Sequence, residues 1–289
     1  MTECLELSEQ LGNEQLSVQP VFFKALMTTF VDPGMSIDWI NRALSLSRKY
    51  DDIKIKALSF ALEGQVLAQL GDFDKSEEAI GEAQETASRL GSPLTNSDVN
   101  LLAAWAYLSM GQPQRALSLG QRSIEESIAT DNMDCLCSGL VCIGYTNLEL
   151  QRIQEAAAAF KEGIDRSQVS GAIIHRLNGQ AGLAMTQFLS GKTEAIGELE
   201  QIVSEMHSYM NEVGAANASY LLGVCMLQIK NYQRAEILLN EAINYYRQAN
   251  MRPYLAKTLF SFSSLLENTG RHNEAQLRIA EADEVIRSI

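Results

Sequence analysis

The chain has 289 residues, 46% of them hydrophobic and 20% charged, so it carries ample apolar surface to bury. Its formal net charge of −13 repels nucleic acid and anionic lipid headgroups, which sets both aside as main partners. No apolar run reaches the ~18–20 residues that span a bilayer, and the acidic start "MTECLELSEQLG" lacks the basic and apolar segments of a signal peptide. The expectation is a cytoplasmic protein with no membrane partner. Five cysteines, odd in number and unevenly spaced, do not describe a disulfide framework.

The first helical stretch, "CLELSEQLGN", matches "ALSLSRKYDD" about forty residues later and so reads as the second half of a repeat's second helix. A partial unit at 1–12 is expected, in a chain cut from, or evolved as part of, something larger. From there the text returns every forty residues. Ser36, Ser76, Ala116, Ala156, Ala195, Ala235 and Ala275 each open an amphipathic run. Upstream of the last six, a second small residue recurs at Gly64, Ala104, Gly144, Ala184, Gly223 and Ser263. A third series follows at Ala43, Ala83, Ser123, Gly163, Ala242 and Ala282, with Ile202 as its one violation. Between the first two series lies a turn, marked by Gly71, Gly111 or Gly270 or by a polar residue. The pattern is helix A, tight turn, helix B, and the small residues are what close helix approach requires. Self-similarity at a fixed period of this length marks a solenoid.

The unit "EGQVLAQLGDFDKSEEAIGEA" resembles the tetratricopeptide (TPR) family: a small residue late in helix A, Gly before the turn, and small residues early in helix B and seven positions on. The period is forty where the family has about 34, and stretches such as "RLGSPLTNSD" point to longer helices and connections. HEAT and armadillo repeats share the longer period but not the small-residue signature. The resemblance covers nearly the whole chain. It implies an all-α, right-handed α-solenoid of antiparallel helix pairs, a single TPR-like array over 1–289 with about seven helix-turn-helix units. Helix B segments are expected to begin near 35, 75, 115, 155, 194, 234 and 274.

The segment "QFLSGKTEAIGELE" contains a Gly-Lys-Thr triplet that ends a phosphate-binding loop elsewhere. The loop also needs a glycine five residues before the triplet, where Thr186 stands, and a buried strand in front of it. The triplet therefore reads as a helix A to helix B turn. It is also one residue short: Ala184 precedes Ala195 by eleven positions where the other repeats have twelve. The group Cys135, Cys137 and Cys142 reads as small core filler, not a zinc site. His175, His207 and His272 fall at unrelated repeat positions, and pairs such as Glu77-Glu78 and Glu125-Glu126 read as solvated helix faces. No catalytic, cofactor-binding or metal-binding residues are expected, so the chain is not read as an enzyme.

In TPR arrays the concave groove is lined from helix A. The resemblance carries its groove positions onto Gln65, Trp105, Tyr145, Met185, Val224 and Ser264. A neighbouring register gives Ala61, Leu101, Val141, Ala181, Tyr220 and Phe260. From these, Gln65, Trp105, Tyr145, Met185, Tyr220 and Phe260 are the candidate binding residues, since aromatics and Met are enriched at contact surfaces. The alternative is that a tightly bent array packs them as core. These registers hold almost no Lys, Asn or Arg, which argues against the family's clamp for chaperone C-terminal carboxylates. The expected partner is a protein or peptide on the concave face. A second reading is a ligand- or partner-sensing regulatory domain. The "LGD"- and "LGN"-type helix ends are similar to the solenoids of MalT-like regulators and bacterial ATPase–cyclase fusions, which leaves room for a small-molecule effector. An uncapped terminal repeat would expose apolar surface on which a homodimer could form.

Overall fold

The computed structural model describes Leu5, Leu7, Ser8 and residues 10–289, so half of the expected partial unit at 1–12 lies outside the described residues. After a 3-10 turn at Glu14–Ser17 come fourteen helices with no strand among the described residues. They are α1 (Val18–Thr28), α2 (Pro33–Lys49), α3 (Ile53–Leu70), α4 (Phe73–Leu90), α5 (Pro93–Ser109), α6 (Pro113–Thr130) and α7 (Met133–Glu149). The second half runs α8 (Ile153–Ser170), α9 (Ile173–Leu189), α10 (Ala195–Ser208), α11 (Glu212–Gln228), α12 (Tyr232–Gln248), α13 (Arg252–Asn268) and α14 (His272–Arg287). Consecutive helices pack as antiparallel pairs, and odd-numbered helices also pack on odd-numbered neighbours along the inner wall.

Local chemistry sets these boundaries. All five prolines sit in the first turn of a helix, where a missing N–H costs nothing: Pro20, Pro33, Pro93, Pro113 and Pro253. Asp32, Asp52, Ser92, Asn132, Asn211 and Asn231 cap helix N-termini by accepting a backbone N–H three residues on. The far ends close through a residue in the left-handed region, six of them not glycine: Asp51, Asp131, Gln151, Met210, Lys230 and Asn250. A side chain there costs roughly 1–2 kcal/mol. At the exposed Lys230, φ is 63° and the next amide, Asn231 N, donates to Met226 O at 2.9 Å. Lys230→Gly is therefore expected to raise stability by about 1 kcal/mol, read from the midpoint of urea unfolding.

The small-residue series are the contact points between helices. Ser36, Ser76, Ala116, Ala156, Ala195, Ala235 and Ala275 are all buried to within 1%. Ser76 Oγ donates to Gly64 O at 2.7 Å, and a Cβ on Gly64 would stand 2.7 Å from Ile80 Cγ1. Nothing larger fits between α3 and α4. The violation at Ile202 falls in α10, which has 14 residues where the other even-numbered helices have 16–18. That helix begins at Ala195 itself, whereas α4, α6, α8, α12 and α14 begin three residues before their small residue. In the shorter connection the amides of Ala195, Ile196 and Gly197 donate three residues back, to Lys192, Thr193 and Glu194, so the α-helix starts a turn later.

Five repeats complete one superhelical turn, because contacts recur at that separation. Val213 N, at the start of α11, donates to Phe30 O just beyond α1 at 3.0 Å, and Tyr245 OH donates to Val31 O at 2.8 Å. The start of α13 meets the ends of α3, α5 and α7. Arg252 Nε donates to Leu70 O at 2.6 Å, Tyr254 Oη lies 2.9 Å from Ser109 Oγ, and Lys257 pairs with Glu149. The seam between successive turns narrows the concave face into a deep cavity that keeps an opening to solvent.

A candidate binding cavity on the concave face

All seven odd-numbered helices contribute to a cavity of about 840 Å³ on the superhelix axis. Five of the six candidate groove residues line it: Gln65, Trp105, Tyr145, Met185 and Tyr220. The sixth, Phe260, lies outside its lining and is 37% exposed. Only the first turn and a half of α13 faces inward, through Pro253, Tyr254, Lys257 and Thr258. Having reached the next superhelical turn, α13 carries its later residues past the space, so Phe260 and the exposed Ser264 fall beyond it.

The lining residues also anchor one repeat to the next. Trp105 Nε1 donates to Ser138 Oγ at 3.2 Å, and its ring tilts over Tyr145 at 6.2 Å. Tyr145 OH donates to Asn178 O at 2.9 Å, and its ring meets Phe160 edge-on at 5.0 Å. Burial pushes the Tyr145 phenol above its ordinary range. Met185 Sδ lies 3.6 Å from Cys225 Sγ. Trp105 and Tyr145 thus combine a face toward the cavity with a fixed orientation.

One whole register of the wall was not among the candidates. Leu58, Asp98, Ser138, Asn178, Asn217 and Lys257, seven residues upstream of the Gln65 register, all face the space. Its signal in the sequence is polar residues recurring at forty within otherwise apolar helices A. It corrects the reading of a groove almost without Lys or Asn, because Lys54, Lys257, Asn132, Asn178, Asn211 and Asn217 all line the cavity. Of the histidines, His175 is brought into the wall, its Nε2 3.4 Å from Asp134 Oδ1, and this partner holds the Asp134 carboxyl below its usual range. His207 and His272 pair instead with Glu212 and Glu267 on the exterior.

The remaining sequence candidates have structural places. Cys135, Cys137, Cys142 and Cys225 are buried to within 3%. Burial pushes the Cys135 thiol to about 11, and those of Cys142 and Cys225 to about 12, far from thiolate chemistry at neutral pH. The Gly-Lys-Thr triplet lies between α9 and α10. Gly191 N donates to Phe188 O at 2.9 Å and Lys192 N to Gln187 O at 3.0 Å. Both amides a phosphate would need are spent closing the end of α9.

No family model matches the chain. A stretch of 126 residues, 44% of this chain, is 23% identical to the outer dynein arm-docking complex subunit 4 of Xenopus laevis, and it spans only 23% of that relative. Among solved structures, the chain is similar to aspartyl phosphate phosphatase F from Bacillus subtilis, with TM-score 0.55 and 10% identity over 98% of this chain and 87% of that one. It is also similar to a STAND signal-transduction ATPase with a tetratricopeptide repeat sensor from Pyrococcus horikoshii, at TM-score 0.56 and 13% identity, covering 98% of this chain and 43% of the other. RapI in its apo form follows, at TM-score 0.51 and 12% identity over 94% of this chain and 77% of that chain. At these identities the likeness is one of fold: an all-α, right-handed, TPR-like superhelix.

Proposed function

We propose that this chain is a non-catalytic, TPR-like regulatory domain that takes a short ligand or peptide into the cavity of its concave face, a reading that favours the sensor over the open scaffold. The observation that carries it is the cavity of about 840 Å³, bounded on one side by the contacts of α13 with α3, α5 and α7. Ligand pockets of roughly 300–1,000 Å³ are the usual size for small molecules. A sensor role is consistent with the similarity to a STAND protein whose repeats are described as a sensor.

The test is a thermal-shift and calorimetric screen of small metabolites and short peptides. Trp105→Ala is expected to weaken any cavity ligand at least tenfold, a loss typical of an aromatic anchor. Its helical circular dichroism should stay unchanged, since Trp105 is only half-buried. Phe260→Ala should leave affinity unaltered. Equal weakening by both variants, or by neither, would place the ligand outside the cavity.

A further inference from the structure

Among the described residues three carboxylates line the cavity: Asp98, Asp134 and Glu149. Two of them have cationic or imidazole partners, Lys257 for Glu149 and His175 for Asp134. Asp98 is the exception. It is half-buried, its Oδ1 accepts from Asn132 Nδ2 at 2.8 Å, the Cys135 thiol also donates to it, and Lys54 acts on it through its field, not through a hydrogen bond. Burial pushes its carboxyl above the ordinary range despite those neighbours. A desolvated carboxylate without an ion partner is costly, and an incoming cation would offset that cost.

A second, independent observation lies on the neighbouring helix. Gln65 and Gln69, one turn apart on α3, both line the cavity, and Gln69 is only 8% exposed. Both Oε1 atoms are shut off from solvent with no hydrogen-bond donor. Buried amide oxygens are normally paired, so enclosing both without a donor is costly, and turning an oxygen out into the cavity relieves that cost. A half-turn of either amide exchanges its oxygen and nitrogen, so each can present an acceptor to the cavity. Between Asp98 and the glutamines the wall is apolar and aromatic, with Leu101, Leu102 and the Trp105 ring, a face that attracts cations as well as alkyl chains.

We propose that the cavity selects a cationic, donor-rich ligand: an ammonium or guanidinium group at Asp98, and further N–H groups at Gln65 and Gln69. In the repeat frame Asp98 is level with Leu58, seven and eleven residues before the two glutamines, an offset of roughly 10–16 Å along the helix axis. A linear polyamine and a short peptide with one basic side chain share this chemistry and this length. The net charge of −13 raises the concentration of either near the protein. The inference rests on the cavity reading above and specifies its ligand.

Four probes applied to the full chain separate the two claims. They are spermidine, an N-acetylated and C-amidated hexapeptide with one lysine, the same peptide with norleucine in its place, and the neutral dye Nile red. At least one cationic probe should bind ten times or more tighter than the norleucine peptide. Spermidine alone would identify a free polyamine, and the lysine peptide alone a peptide ligand. Asp98→Asn should abolish the preference while holding or raising Tm, because it removes a buried charge yet keeps an acceptor for Asn132. Gln69→Leu should weaken the preferred probe severalfold. Equal binding of lysine and norleucine peptides, or a preference that survives Asp98→Asn, would overturn the inference and leave the cavity reading intact. Exclusion of Nile red and all other probes would overturn both.

Discussion

Gly182→Ala should destabilise the array by a net of roughly 2 kcal/mol, although replacing glycine within a helix ordinarily stabilises by about 1. The reason is the Phe160 ring, fully buried on α8 and held between two glycines on the inner helices. A Cβ on Gly182 of α9 would lie 2.2 Å from Phe160 Cζ, and one on Gly144 of α7 would lie 2.4 Å from Cε1. Favourable carbon contacts are about 3.5–4.0 Å, so the ring must move. Retreating from one glycine drives it toward the other, and Tyr145 packs against it edge-on at 5.0 Å. Gly182→Val should cost more still, and adding Phe160→Leu to Gly182→Ala should recover part of the loss. A coupling of at least about 1 kcal/mol in that double-mutant cycle would mark direct steric conflict. Repeat arrays unfold in parts, so urea midpoints should be paired with hydrogen exchange, in which α7–α9 lose protection first. A neutral Gly182→Ala with full protection there would mean that the ring is not trapped.

Phe160 also shows how far the sequence reached. Gly144 belongs to the forty-residue small series and was legible as a contact point, because one helix pair repeats its geometry and composition records it. Gly182 belongs to no series. Its need for no side chain arises from a phenyl ring particular to one repeat, which only the packing reveals. The groove was legible to the same depth. The register from Gln65 to Met185 faces inward because the frame of a single repeat fixes which side of helix A is concave. The polar register of Asp98, Asn178, Asn217 and Lys257 was open to the same reasoning, but the positions carried from the family did not include it. Phe260 failed for a different reason. Curvature accumulates from small rotations between units, and no local pattern tells how many units close a turn. The solitary charge of Asp98 was hidden likewise, since the sequence does not say which carboxylates meet His175 or Lys257.

Closure is also where the second large effect is expected. Arg252→Ala combined with Tyr254→Phe removes two side-chain hydrogen bonds across the seam, to Leu70 O and to Ser109 Oγ, which join residues 182 and 145 positions apart. Arg252 also donates to Ser288 O, so its loss frees the end of α14's chain as well. At about 1 kcal/mol for each net hydrogen bond, the seam should open roughly thirtyfold more often. Helicity should hardly change, because each helix keeps its sequence neighbours. Amide exchange in α13 and at Gly71 should quicken by that factor while α7–α9 stay protected, and solution scattering should show a larger radius of gyration. The consequence for binding follows by linkage. If the ligand requires the closed turn, it must itself strengthen the seam, and the variant must lose affinity in proportion to its closed fraction, so the full factor shows only once the open form predominates. Unchanged affinity in a demonstrably open variant would separate the cavity from the superhelical turn and remove the mechanical basis for sensing. A matched loss would make α13 the element through which occupancy of the concave face is felt at the far end of the array.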